Sequence, residues 1–270
     1  MPTHAFDFGT LFWREKGHGE ALLMIMGTGA DHTSWARQIP VLSERFHLVT
    51  PDNRGSGRSG PAPEASTATT AGFAREALAL LEHLGIDRFH VCGFSFGAAV
   101  AMEVALAAGD RVLAASFHAG WAGPHAGTDA SFNGALERLR EGGVARFLEG
   151  ACRKNFSPAF REENPAAFEA FLKNVMTSVT RPTEAGVVAQ AEAGRRHDVR
   201  NRLGGLRIPV LVTVGEHDRT IPPEAAEEVA RLVPGAIFHT FRGPRAWHAI
   251  PLEMPDAFNA LVGDFHARRA

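Results

Sequence analysis

The sequence predicts an α/β fold: a mostly parallel central sheet with helices on both faces, interrupted by a helical insertion. Short apolar runs rich in β-formers alternate with segments of helical period at both ends of the chain. Residues 124–203 break that alternation, with several helical patterns and no strand pattern. A length of 270 residues with 45% hydrophobic side chains suffices for one large domain with a sizeable core.

In chain order, LFWRE (11–15) and ALLMIM (21–26) read as strands, and residues 34–45 as a helix with Ser34 at its N-cap. FHLVTP (46–51) is a strand ending at Pro51, and the glycine- and proline-rich DNRGSGRSGPAPE after it is a loop. Phe73, Ala77, Leu80, Leu81 and Leu84 recur at helical spacing over 70–84. FHVCG (89–93) is a strand, 96–108 an almost wholly apolar and hence buried helix, and 112–118 another strand. Beyond the insertion come a strand over 208–218 and a helix over 223–232, whose starting prolines sit where a missing N–H costs little. A strand over 235–241 and a helix over 254–269 complete the pattern. The expected core is therefore 1–123 with 204–270, and 124–203 forms a helical cap. An insertion between parallel strands sits over their carboxyl ends, where open sheets bind ligands.

Composition narrows the function. A formal charge of -2 offers no basic face for nucleic acid. The start, MPTHAFDFGT, lacks the basic and apolar regions of a secretory signal, and the longest apolar runs are too short or interrupted to span a bilayer. A soluble, cytoplasmic protein without membrane attachment is the expectation. Cys92 and Cys152 make neither a disulfide framework nor a metal signature, and Cys92 reads as a small buried hydrophobe. Oligomeric state leaves no mark in the sequence.

The chemistry centres on GFSFG (93–97), placed directly between an apolar strand and an apolar helix. So tight a turn needs small neighbours, which Gly93, Gly97 and Ala98 supply, and it lifts Ser95 above the sheet as a nucleophile beside a helix N-terminus. A serine nucleophile needs a base and an acid to orient it. The acid is Asp218, in the turn after a strand, with Glu216 the second choice. Of the histidines beyond it, His239 falls in a strand and His266 in a helix, whereas His248 lies in the loop after the last strand, where a base can reach Ser95. The order Ser95, Asp218, His248 is the one expected for a nucleophile on a strand-to-helix turn. The oxyanion hole is assigned to the backbone N–H groups of Phe96 and of Thr28, in the loop MGTG, where Gly27 and Gly29 let the backbone turn close to the site.

MGTG, PDNRGSGRSG, GFSFGA, GEHDRTIPPE and the late WH, in this order and spacing, resemble the α/β-hydrolase superfamily over nearly the whole chain. Within it the chain is similar to capped serine esterases and enol-lactonases. The resemblance implies a serine hydrolase that cleaves a small apolar ester or lactone through an acyl-enzyme, with no metal and no organic cofactor. Three positions depart from the family pattern: Met26 replaces a histidine, Trp247 replaces a glycine, and Phe96 stands where smaller residues are frequent. They imply a narrower, more aromatic acyl pocket, with Gly27, Phe94, Phe96, Trp121 and Trp247 around it; core packing is the alternative for Trp121. His118, at a strand end, joins the pocket or serves a structural role. Dehalogenases and epoxide hydrolases of this fold use aspartate at the turn, and the latter also use cap tyrosines; this chain has Ser95 and no tyrosine. A carbon–carbon bond hydrolase or decarboxylating enzyme and a cofactor-free perhydrolase share the triad, and a ligand-binding receptor that kept the fold is a further reading.

Overall fold

Eight strands form one sheet in a computed structural model that describes residues 2–163 and 165–268. They are β1 (Thr3–Phe6), β2 (Gly9–Lys16), β3 (Ala21–Ile25), β4 (His47–Pro51), β5 (Phe89–Phe94), β6 (Val112–His118), β7 (Val210–Gly215) and β8 (Ile237–Phe241). The helices are α1 (Ile39–Leu42), α2 (Thr70–His83), α3 (Phe96–Ala108), α4 (Ala126–Asn155), α5 (Pro158–Glu163), α6 (Pro165–Thr177), α7 (Glu184–Arg195), α8 (Arg200–Leu203), α9 (Pro223–Leu232), α10 (Ile250–Glu253) and α11 (Pro255–Ala267). Across the sheet the strands run β1-β2-β4-β3-β5-β6-β7-β8. The β1–β2 and β2–β4 pairs are antiparallel and the others parallel. Connections leave β3 toward β4 on one side and return to β5 on the other, so β3 and β5 flank the switch point where such sheets bind ligands.

Burial explains which strands are legible. Every residue of β3, β5 and β7 is buried, as in a sheet covered on both faces. β1 is absent from the sequence reading. It is four residues long, lies at the sheet edge and exposes three of them, so it carries no apolar pattern. The helix expected over 34–45 does not form as one element. The Asp31 side chain accepts the Thr33 N–H at 2.8 Å and starts a 3₁₀ turn, His32–Trp35, so Asp31 rather than Ser34 is the cap. Pro40 then restricts the α-helix to Ile39–Leu42, because it lacks an N–H for the ladder. The last helix is described to Ala267; Arg269, where it was expected to end, lies outside the described residues, as do Met1, Asn164 and Ala270 of the expected core and cap. No described helix is long and apolar enough to cross a membrane.

Between β6 and β7 the chain contains helices and no strand among the described residues. Its longest segment, α4, breaks at Gly142 and Gly143, and Gly143 has φ +65°, a region that favours glycine. The two arms fold back on each other. Lys154 Nζ in the second arm donates to Ser131 Oγ in the first at 2.8 Å. Arg138 in the first lies over Gly150 in the second, where an added Cβ would come within 2.2 Å of Arg138 Cδ. From α7, the buried Gln190 locks the insertion onto the core: its Oε1 accepts the Gly29 N–H at 2.9 Å, and its Nε2 donates to Arg54 O and Ser56 Oγ. Every polar end of that buried amide thus has a partner, which removes the penalty for burying it.

Candidate active site

The turn between β5 and α3 consists of Ser95 alone, with φ 56° and ψ −122°. A non-glycine residue held there costs on the order of 1–3 kcal/mol, so its surroundings must enforce it. They do so through the main chain: Ser95 N donates to His118 O at 2.8 Å, and Ala98 N donates to Ser95 O at 2.8 Å. The flanking glycines are steric requirements. A Cβ on Gly93 would lie 2.2 Å from Gly97 O, and one on Gly97 would lie 2.1 Å from Ile25 O. The close approach of β5, α3 and β3 thus dictates GFSFG.

Loops after β7 and β8 deliver the other two groups. His248 Nε2 lies 3.1 Å from Ser95 Oγ, and His248 Nδ1 lies 2.7 Å from Asp218 Oδ2. The other Asp218 oxygen, Oδ1, accepts the N–H groups of Thr220 and Ile221 at 2.8 and 2.9 Å. A carboxylate can only accept, so Nδ1 is the donor and Nε2 is left to accept the Ser95 proton. The two loops are joined, because His217 N donates to Ala246 O at 2.9 Å. Glu216 does not compete for the site: it accepts the Gly243 N–H and faces Arg242. His266 is occupied by Ser116 Oγ at 2.9 Å inside α11, and His239 stays on β8.

These groups open onto a cavity of about 280 Å³, walled by Gly27, Thr28 and Phe94 from the core and by Phe132, Phe147 and Phe156 from the insertion. Phe94 also packs on the His248 ring, with centroids 5.0 Å apart. An added Cβ on Gly27 would sit 3.1 Å from Ser95 Cβ, so this loop passes directly beside Ser95.

Two aromatic expectations, for Phe96 and Trp247, are corrected, and the two left open, for Trp121 and His118, fall to their structural alternatives. The Phe96 ring turns into the core, edge-on to Phe73 at 5.3 Å, because α3 is buried on every side there; it does not narrow the cavity. Trp121 is buried outside the cavity wall, between Phe132 and His197. His118 bonds Thr213 Oγ1 at 2.8 Å and ties β6 to β7, and burial pushes its pKa down to about 3. The turn that aims His248 inward sends Trp247 outward, against His217 and under the Arg219 guanidinium at 4.9 Å.

The sequence reading missed Arg138 and Lys154, which reach the cavity wall from α4, and Asn155, which bridges the insertion to the loops that carry Asp218 and His248. Asn155 O accepts the Ala249 N–H at 3.1 Å, and its Oδ1 accepts the Thr220 hydroxyl at 2.7 Å. Helical periodicity marks none of them, since they depend on how α4 folds back.

Asp31, His32 and Asp52 place donor atoms within 4.8 Å of one another, the spacing a metal ion would need. Internal bonds already use them. Asp52 accepts from His32 N, His32 Nδ1 and Arg58 N, and Asp31 accepts from Thr33. Burial raises the Asp52 pKa against the lowering effect of those bonds. The cluster fastens the loops beneath the site.

Comparison with known proteins agrees with this fold. A family model described as alpha/beta hydrolase fold matches residues 20–247. RutD of Caulobacter sp. strain K31, whose name assigns carbamate hydrolysis provisionally, is 27% identical over 246 residues, covering 91% of this chain and 90% of that protein. The pimeloyl-[acyl-carrier protein] methyl ester esterase of Methylococcus capsulatus is 28% identical, covering 85% and 88%. The 3-oxoadipate enol-lactonase 2 of Acinetobacter baylyi is 26% identical, covering 90% and 86%. Among solved structures, the enol-lactonase from Burkholderia xenovorans LB400 superposes with a TM-score of 0.87 at 24% identity, over 98% of this chain and 99% of that one, and speaks for the fold. The chain belongs to the α/β-hydrolase fold family.

Proposed function

We propose that the protein hydrolyses a carboxylic ester or lactone of a small molecule through an acyl-enzyme on Ser95. The observation that carries this is the unbroken line from Ser95 Oγ through His248 to Asp218, at 3.1 and 2.7 Å. His248 takes the Ser95 proton as Oγ attacks the carbonyl carbon, and Asp218 holds the tautomer and stabilises the imidazolium. The tetrahedral oxyanion is received by the N–H of Phe96, at the first position of α3, and by that of Thr28; each such donor is worth about 3 kcal/mol. Collapse expels the alcohol, protonated by His248. Water, activated by the same histidine, then releases the acid. The insertion serves as a cap whose phenylalanines make the acyl pocket apolar.

Similarity supports the same reading. The named relatives act, by name, on a carbamate, a methyl ester and an enol lactone, all carbonyls bearing a heteroatom leaving group. A fluorophosphonate probe tests it. Wild-type protein should label at Ser95, and Ser95→Ala should not. A folded wild type that resists labelling overturns the hydrolase assignment, whatever esters are offered. Carbamates and methyl esters of matched size, compared in one assay, then decide between those leaving groups.

A further inference from the structure

Three cations, Arg138, Lys154 and Arg181, reach the wall of this otherwise largely apolar cavity, and none has an anion to pair with among the described residues; Arg181 turns its guanidinium to Met176 O at 3.0 Å, which leaves the two from α4. Arg138 comes from the first arm of α4 and Lys154 from the second, and both line the cavity that holds Ser95 and His248. Among the described residues Arg138 has no hydrogen bond or ion pair, and its Nε is buried without a partner. Lys154 Nζ donates to Ser131 Oγ at 2.8 Å, which leaves two of its three N–H groups available. Neither has a carboxylate within ion-pair distance, although the surface of the same insertion is laced with Arg–Glu pairs such as Arg153 with Glu149 and Glu169.

The arrangement is built. Gly150 leaves the space the Arg138 side chain occupies, with an added Cβ falling 2.4 Å from Arg138 Nε. The Gly142–Gly143 break brings the arms together. Burying charge without a counter-charge is unfavourable, and burying two like charges together more so. The strain shows in both groups. Burial, then the Arg138 charge, lower the Lys154 pKa, with Asp218 opposing. Burial, then Arg146, lower that of Arg138, with Glu137 and Glu141 opposing. A planar guanidinium beside an ammonium matches one carboxylate, which the fork can grip while the lysine supplies a second charge.

We propose that the substrate is an ester or lactone bearing a carboxylate, held by Arg138 and Lys154 while its scissile carbonyl meets Ser95. This rests on the hydrolase reading above and adds to it the charge of the substrate. A volume of about 280 Å³ lies at the low end for small-molecule sites, which suits a short chain with the carboxylate a few carbons from the reacting bond.

Monomethyl and dimethyl glutarate are matched probes that differ in that charge. Wild type should hydrolyse the monoester with kcat/KM about tenfold or more above the diester, followed by proton release. Arg138→Gln and, separately, Lys154→Gln should cut the monoester value by about 10- to 100-fold and the diester value by less than about threefold. Preference for the diester, or equal losses on both, overturns the proposal. Calorimetry on Ser95→Ala reads binding without turnover: the monoester should bind about tenfold tighter than the diester, and added salt should weaken only the monoester. A protein that labels at Ser95 with fluorophosphonate yet binds both esters equally refutes the carboxylate site and leaves hydrolysis standing. Selective monoester binding without labelling refutes hydrolysis and leaves the site.

Discussion

On the sheet side of the cavity the main chain holds the reacting groups. Ser95 is gripped through its own N–H and C=O, and Asp218 by two backbone N–H groups. The loop carrying His248 is hydrogen-bonded to the loop carrying Asp218. On the insertion side the contacts run mainly through side chains: Lys154 to Ser131, Arg138 over Gly150, and Gln190 onto the core loops. Backbone contacts do not depend on which side chains surround them, so the arrangement of Ser95, His248 and Asp218 should tolerate sequence change nearby. A wall made of side chains can be rewritten one residue at a time. On the proposed function, this division places the chemistry on the rigid face and substrate selection on the replaceable one.

The contrast can be broken first at His248. His248→Ala should lower kcat/KM for any methyl ester by about 10⁴- to 10⁶-fold, since members of a triad act as a unit. Retention of a tenth of the wild-type rate would remove His248 as the base and with it the meaning of the sheet-side geometry.

Next in size is an acid effect centred on the sheet. Burial lowers the His118 pKa from 6.5 to about 3, and that of His197 to about 4. The unfolded chain therefore binds protons first as pH falls. Their contribution is intact above pH 6.5 and is lost progressively as pH drops toward those values. The maximum loss is about 1.4 kcal/mol per pH unit for each histidine. In His118→Asn, which can still meet Thr213, the slope of unfolding free energy against pH should flatten by about one proton. Urea titrations across the acid range measure it, and an unaltered slope would mean His118 is not buried neutral.

Asn155 sharpens the comparison, because it ties the insertion to both catalytic loops. Asn155→Ala keeps the main-chain bond to Ala249 and deletes the one to Thr220, so it should cost about 1 kcal/mol, or roughly fivefold in kcat/KM. A hundredfold loss would show that the insertion positions the catalytic groups and that the two sides are not independent. The smallest effect belongs to Trp247→Ala. It removes a cation–π contact on the outer surface worth about 0.5–1 kcal/mol of stability and should change kcat/KM by less than about twofold. A tenfold change in substrate preference would return Trp247 to the pocket.

Much of the fold was legible because its signals are local. β3, β5 and β7 are unbroken apolar runs, and α3 is apolar on every face, so burial on both sides is written in their composition. β1 was not, since an exposed edge strand has no face to pattern. The helix expected over 34–45 failed for a reason that was also local: Asp31 and Pro40 outweigh the apolar spacing there. At the site, Ser95, Asp218 and His248 could be named from strand ends and chain order, and the structure brings those three together. The aromatic residues could not be placed, because neighbouring side chains in a turn face opposite ways and only packing decides which one meets the cavity. That is the difference between His248 and Trp247, and between Ser95 and Phe96.

The sequence by itself determined the parallel sheet, the helical insertion and the strained turn at Ser95. Each follows from hydrophobic period or from steric demand between near neighbours in the chain. Only the tertiary structure decided that α4 doubles back at Gly142 and Gly143, that Gly150 admits Arg138, and that Lys154 joins it at the cavity wall. Those contacts link residues a dozen or more positions apart, and periodicity carries no information about which distant surface a helix will meet.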